Sequence, residues 1–394
     1  MSFDILHRSR RTIAQGALTN SKHPDRFVSK IPTHVKHGFG CHLWDMEDKK
    51  WLDMICGLGT NHFGYGNQKI QREVVRYAFS GGCHSLATIH EVEAAEKLKQ
   101  LFPFVEKVKW VNDGSSACTA ACVMAKAYTS RAKILTEGYH GWHPEQIAPV
   151  AFQPDGNIYN IKKYESLEDL DDSIACFILE PVQLDNSKER IEWLKKVRAK
   201  CNEHGIVLIF DEVITGIRYD NLGVSNSYGI LPDLLLLGKA MGNGEKIACV
   251  AGSKDILDGD YFVSGTYHGH VPSLVAATAA MNLAKFDRTY DLKRLNADSL
   301  EFYNSLSEMA DGIFCVKGWG CRGAFQGDYH LFFQEMAGSR ILFGPSIFIN
   351  FDSVKILSEL LEFSQIAIDN IKNKKVRLEG NAPTGAFSQK QRSN

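Results

Sequence analysis

Ile206-Val207-Leu208-Ile209-Phe210-Asp211 and, further on, Leu234-Leu235-Leu236-Leu237-Gly238-Lys239 are the two stretches that decide the fold. Each is a short, continuously apolar run that stops on a charged residue, and runs of this length fit strands buried on both faces of a parallel sheet. Residues 189–204 before the first run have a helical period, and Gly205 supplies the helix stop. The same alternation extends upstream. Residues 92–101 read as a helix, 108–111 as a strand and 117–128 as a helix of small residues, followed by strands at 133–135 and 175–179. The alternation predicts an α/β domain with a largely parallel sheet. Ligands of such sheets bind beyond the carboxyl ends of the strands, where Glu180, Asp211 and Lys239 all stand.

The whole-chain numbers exclude more than they select. With 394 residues, 44% of them hydrophobic, and a net charge of -1, the chain has an ample core and no general attraction to nucleic acid, so a small-molecule substrate is expected. The ten cysteines are scattered, which suits free thiols in a reducing compartment. Cys118 and Cys122 share a helix face and could be half of a metal site. No second close Cys or His pair completes a zinc set, so buried helix cysteines and no metal are expected. Neither a signal-peptide core nor a membrane-length apolar span is present, and the cytoplasm is the expected location. Residues 46–284 are expected to form the large domain, and 1–45 with 285–371 a smaller α+β domain built from both termini. Residues 372–394, basic and poor in apolar side chains, read as a flexible tail.

The chemistry at the strand ends points to pyridoxal phosphate, which needs a lysine for its aldehyde and a carboxylate for its ring nitrogen. Lys239 follows four leucines, a setting that favours loss of its proton, and Gly238, Gly242 and Gly244 let backbone pass close to a flat ligand. Either charged residue alone would pass for an ordinary strand terminus. Asp211 can keep a pyridinium protonated by opposite charge, and Val213 can press on one ring face. Gly114-Ser115-Ser116, between a strand and a helix, offers backbone N–H groups and a helix dipole to a phosphate, although a plain helix cap would look similar.

Phe210-Asp211-Glu212-Val213-Ile214-Thr215-Gly216-Ile217-Arg218, Pro232-Asp233-Leu234 and Leu237-Gly238-Lys239 resemble the signature of class III pyridoxal-phosphate aminotransferases. Leu43-Trp44-Asp45, Gly57-Leu58-Gly59, Tyr139-His140-Gly141-Trp142, Glu180-Pro181-Val182 and Ser264-Gly265-Thr266 match in the same order, closest to the glutamate-1-semialdehyde aminomutase-like branch. The resemblance implies fold type I and a homodimer with shared sites. It makes Lys239 the Schiff-base lysine and Asp211 the pyridinium partner, with Val213 and Tyr139 on opposite ring faces. Gly114, Ser115 and Ser116 would hold the phosphate, joined by Thr266 from the neighbouring subunit. The implied reaction is ping-pong transfer of an amino group from an amine donor to an oxo acceptor.

Departures from the pattern bear on the substrate. Asp113-Gly114-Ser115-Ser116 replaces the usual Ser-Gly-Thr-Glu, and Gly242-Asn243-Gly244-Glu245 lacks the usual proline after it. In Pro345-Ser346-Ile347-Phe348-Ile349-Asn350-Phe351, Ile349 stands where the aminomutase branch has an acid, which favours an intermolecular aminotransferase over an aminomutase. Arg26 reads as a surface residue, Arg218 as structural, and His140 has no role that spacing reveals. Two rivals stand beside this reading. Gly318-Trp319-Gly320-Cys321-Arg322-Gly323 fits a dinucleotide fingerprint, but the required helix and distal acid are missing. A non-catalytic cofactor-binding relative would have been free to lose Lys239.

Overall fold

The structure, a computed structural model, describes residues 2–147 and 160–385. Two compact units divide the chain: Gly59–His62 with Asn67–Asn296, and Met1–Leu58 with Phe63–Gly66 and Ala297–Asn394. The sequence boundaries at 45/46 and 284/285 both fall earlier than these.

The first unit is built on strands β1 (Lys107–Val111), β2 (Lys133–Glu137), β3 (Ile161–Lys163), β4 (Ile174–Leu179), β5 (Val207–Asp211), β6 (Leu234–Leu237) and β7 (Ala248–Gly252). They form one seven-stranded sheet in the order β1-β7-β6-β5-β4-β2-β3. The pairs from β6 to β3 are parallel, whereas β7 runs antiparallel to both β6 and β1. Every residue of β4, β5, β6 and β7 is buried, as a sheet covered on both faces requires. Helix α1 (Gly114–Thr129) packs Ala117, Cys118, Ala120, Ala121 and Met124 into the same core as Ile178, Ile209, Leu236 and Val250. Its small side chains let the helix approach the sheet closely. Helix α2 (Lys188–His204) ends at Gly205 in a left-handed turn, φ 58°, which glycine adopts without strain.

The second unit draws on both ends of the chain. It contains a four-stranded sheet of Val35–Phe39, His42–Asp45, Lys50–Asp53 and Ile341–Leu342, and a three-stranded sheet of Phe314–Trp319, Arg322–Gly327 and Ser346–Phe348. The glycine fingerprint at 318–323 is a tight antiparallel hairpin, with Trp319 opposite Arg322 and Gly320 at φ 44°. No helix begins there, so the dinucleotide reading has no structural support. Residues read as a flexible tail are tied down as far as 385. Gln334 bridges to the Arg377 carbonyl and the Glu379 amide, and the Thr384 amide donates to the Asp25 carbonyl at 3.1 Å. Residues 386–394 of that tail lie outside the described residues. Arg26, expected on the surface, is buried and donates to Asn20 Oδ1, Thr384 Oγ1 and the Gly385 carbonyl, because the tail folds over it.

Candidate active site

The register of β5 against β6 sets up the site. Asp211 pairs with Leu236, so the chain leaves β6 at Leu237 and places Lys239 just beyond the same sheet end. Asp233 fixes that register, accepting from the Leu208 amide at 2.7 Å and from Arg198 Nη1 at 2.8 Å. Gly238 and Lys239 open a single tight turn, with Lys239 at φ 42°, a left-handed geometry rarely held by a side-chain-bearing residue.

These ends border a cavity of about 340 Å³. Asp211, Lys239, Val213, Gly114, Ser115 and Tyr139 all line it, together with His140, Glu180, Cys118 and Lys246. Ser116 and Thr266 are outside the lining. Ser116 donates its amide to Asp113 Oδ1 at 2.9 Å, and Thr266 is exposed.

Val213 is sandwiched by glycines. A Cβ on Gly114 would lie 3.2 Å from Val213 Cγ1, and one on Gly238 would lie 3.4 Å from it. The helix start is drawn against Val213 because residue 114 has no side chain. Asp113 caps α1 and uses the Ser116 amide, leaving the Gly114 and Ser115 amides of the first turn for an anion. The Tyr139 turn is held from behind. Glu180 accepts from the Tyr139 amide at 3.0 Å and from Gln183 Nε2 at 3.1 Å.

His140, whose role spacing did not reveal, is the close partner of Asp211. Its Nδ1 lies 2.8 Å from Asp211 Oδ2, while Nε2 lies 3.1 Å from the Glu137 carbonyl oxygen. Burial alone would lower the His140 pKa, but the hydrogen bond to Asp211 and its charge outweigh burial and raise it. Burial pushes Asp211 up, and the His140 bond and charge, the Val213 amide and Lys239 together bring it below its usual value. Both shifts describe a buried ion pair. Cys118 Sγ adds a second, longer contact to Oδ2 at 3.5 Å, and burial with the Asp211 charge holds its thiol well above the ordinary range. Glu212 and Arg218 face away from this chemistry. Glu212 accepts from the Val224 and Ser225 amides, and buried Arg218 donates to the Ile214 and Gly59 carbonyls, a structural role as expected.

An acid and a lysine at adjacent strand ends line one cavity with a helix start and a valine, a set of groups that fits the needs of pyridoxal phosphate. The sheet order is that of fold type I, shared with solved transaminase structures, and the class is that of the pyridoxal-phosphate transferases, as the family match shows. The model of the family described as Aminotransferase class-III matches residues 25–150 and 144–325, and the chain belongs to that family. It is therefore a pyridoxal-phosphate-dependent enzyme of the aminotransferase class, acting on small molecules.

Among curated relatives, the chain is 28% identical over 398 residues to a glutamate-1-semialdehyde 2,1-aminomutase of Wigglesworthia glossinidia brevipalpis, covering 87% of this chain and 91% of the relative. It is 29% identical over 305 residues to a 3-aminobutyryl-CoA aminotransferase of Cloacimonas acidaminovorans, covering 73% and 74%. The fold is similar to that of the FumI protein of Sphingopyxis sp. MTA144, solved with bound pyridoxal phosphate, at a TM-score of 0.86 and 21% identity over 96% of this chain and 98% of that one.

Proposed function

We propose that the chain transfers an amino group between two separate molecules, with Lys239 and Asp211 as its catalytic residues. The observation that carries this reading is the joint lining of one cavity by Lys239 and the His140-paired Asp211, with Gly114 and Ser115 at the helix start. Bound there, pyridoxal phosphate supplies an aldehyde that condenses with amines and a protonated ring that takes up electrons from the substrate carbon. Asp211 would accept the hydrogen of the ring nitrogen and keep it charged, and His140 Nδ1 orients that carboxylate through Oδ2. The Gly114 and Ser115 amides would hold the phosphate, with Ser116 completing the helix start. Val213 and Tyr139, which line the same cavity, would confine the ring between them.

Once an amine takes its place, Lys239 Nζ would act as base on the substrate carbon and then as acid on the carbon that carried the aldehyde, so that the proton moves from one to the other. One water would supply the oxygen with which the donor leaves as an oxo compound, its amino group staying in the site, and an oxo acceptor would then take up that group by the reverse sequence, releasing one water. Thr266 of a second copy is assigned to the phosphate, which makes the working unit a homodimer. Ten free cysteines support a reducing, cytoplasmic setting. Among the described residues, no helix is long and apolar enough to cross a membrane.

Borohydride reduction of the yellow holoprotein should fix the cofactor to the peptide containing Lys239, and a Lys239→Ala protein should remain unlabelled there. Labelling elsewhere would reject the assignment. The second reading, an aminomutase, draws on the relatives of that name. Single amines added to the holoprotein should bleach its visible band and release an oxo product. Isomerisation of one substrate with no second partner would favour the aminomutase instead.

A further inference from the structure

Three side chains from three separate elements converge beside the cavity. Cys118 lies in α1 one helical turn after Gly114, His140 follows the end of β2, and Asp211 ends β5. Cys118 Sγ, a ring nitrogen of His140 and a carboxylate oxygen of Asp211 lie within 4.8 Å of one another, and all three residues are buried. Each also lines the cavity. This is not the Cys118–Cys122 pairing that the helix spacing suggests, because Cys122 is occupied by Gln146 Nε2 at 3.4 Å.

The orientation of His140 is set from outside the cluster. The Glu137 carbonyl oxygen at 3.1 Å can only accept, so Nε2 carries a hydrogen and Nδ1 is the nitrogen presented to Asp211. A histidine anchored through one N–H to a carbonyl, with its other nitrogen facing a carboxylate that a thiol also contacts, has the outer support typical of metal-bound imidazoles. Thiolate, imidazole and carboxylate together suit Zn²⁺, and an open fourth position is left on the cavity side. Zinc bond lengths at tetrahedral angles put ligand atoms about 3.3–3.6 Å apart. The Sγ–Oδ2 distance of 3.5 Å already fits, and the Nδ1–Oδ2 distance of 2.8 Å must widen by about half an ångström.

We propose that the cofactor-free protein binds one Zn²⁺ through Cys118 Sγ, His140 Nδ1 and Asp211 Oδ2, and that Zn²⁺ and pyridoxal phosphate exclude one another. Coordination forms Zn–S, Zn–N and Zn–O bonds with no redox change, and the thiol proton together with the Nδ1 proton passes to solvent. The metal site stands on the geometry alone. The exclusion rests on the reading of Asp211 as partner of the cofactor ring, since one carboxylate cannot serve both.

The test uses the full chain stripped of cofactor and titrated with ZnCl₂ by calorimetry, as wild type, Cys118→Ser and Cys83→Ser. Cys83 is an exposed thiol outside the cavity and controls for adventitious binding. Wild type and C83S should each bind one Zn²⁺ per chain, and C118S should bind at least about tenfold more weakly. Substituting Co²⁺ should give a thiolate-to-metal absorption band in the wild type, which decides the matter even if C118S folds poorly. Equal affinity in wild type and C118S, or a wild type without the Co²⁺ band, overturns the site. Loading the wild type with pyridoxal phosphate should abolish Zn²⁺ binding. A Co²⁺–thiolate band that persists at full cofactor occupancy would instead leave the metal site standing, and would overturn the exclusion together with the Asp211 assignment.

Discussion

Asp211 is a carboxylate kept charged in a place with almost no solvent, and His140 is what makes that tolerable. Removing one member of a buried ion pair costs more than forming the pair gains, because the survivor is left as an uncompensated charge. His140→Phe should therefore destabilise the cofactor-free protein by about 3–5 kcal/mol in urea unfolding. His140→Gln, which keeps a donor, should lose much less. Equal stability of H140F and wild type would mean that the pair is not electrostatically coupled. The His140 role was invisible in the sequence because its partner lies 71 residues away, and no local spacing encodes such a contact. The positions of Asp211 and Lys239 were legible for the opposite reason: Asp211 ends one apolar strand and Lys239 stands two residues past another, and only as a pair in a glycine setting do they differ from ordinary strand ends.

At the scale of elements, the site depends on turns that tolerate no side chain. Gly141 sits at φ +101°, and a Cβ there would lie 2.3 Å from Ser115 Oγ and 2.7 Å from Ser115 Cα. The Trp142 amide also donates to Ser115 Oγ at 3.3 Å, so the 141–142 turn and the start of α1 are locked together. Gly141→Ala should push the helix start out of place and weaken cofactor affinity by roughly tenfold or more, a loss of at least about 1.4 kcal/mol, read by titrating the cofactor-free protein with pyridoxal phosphate. Gly312→Ala offers a control, since it too has positive φ, +84°, but a Cβ there meets nothing within 4 Å. It should strain its own turn and leave cofactor affinity unchanged. A G141A protein that binds as tightly as wild type would show that the cradle does not need this contact.

The helices at 92–101, 117–128 and 189–204 and the buried parallel strands were readable because a helical period and burial on both faces leave marks in a single sequence, but parallel β3, Ile161-Lys162-Lys163, has no apolar run and was not read. Antiparallel β7 was not, since Ala248–Gly252 is a run of small residues whose direction is set only by its neighbours β6 and β1. The glycine pattern at 318–323 fits a fingerprint that the missing helix and distal acid already argued against, and the structure makes it a hairpin. Its glycines serve a tight turn, and one of the same residue pattern would also serve a nucleotide loop. The docked tail escaped for a related reason: its bonds to Gln334 and Asp25 are made by backbone atoms, which composition does not reveal.

For the whole molecule, the question is whether one chain makes a complete site. Thr266 is exposed and outside the cavity lining of its own chain, and its loop also carries Phe262 at 89% and Tyr267 at 64% exposure. Large apolar side chains left open beside a residue assigned to the phosphate fit a surface that a second copy covers. Sedimentation should then give twice the chain mass of 44.0 kDa. Complementation tests the sharing itself. Lys239→Ala and Thr266→Glu proteins should each be inactive or nearly so, the first for want of its lysine and the second because a carboxylate would face the phosphate. In a hybrid dimer, one site combines Lys239 from the Thr266→Glu chain with Thr266 from the Lys239→Ala chain and is intact, while the other carries both defects. Random reassociation makes about half of the dimers hybrids with one working site in two, so an equal mixture should recover about a quarter of wild-type activity. Mixing without subunit exchange should recover none. If exchange is verified by mass and activity still does not return, the phosphate is held within a single chain and Thr266 has no part in it.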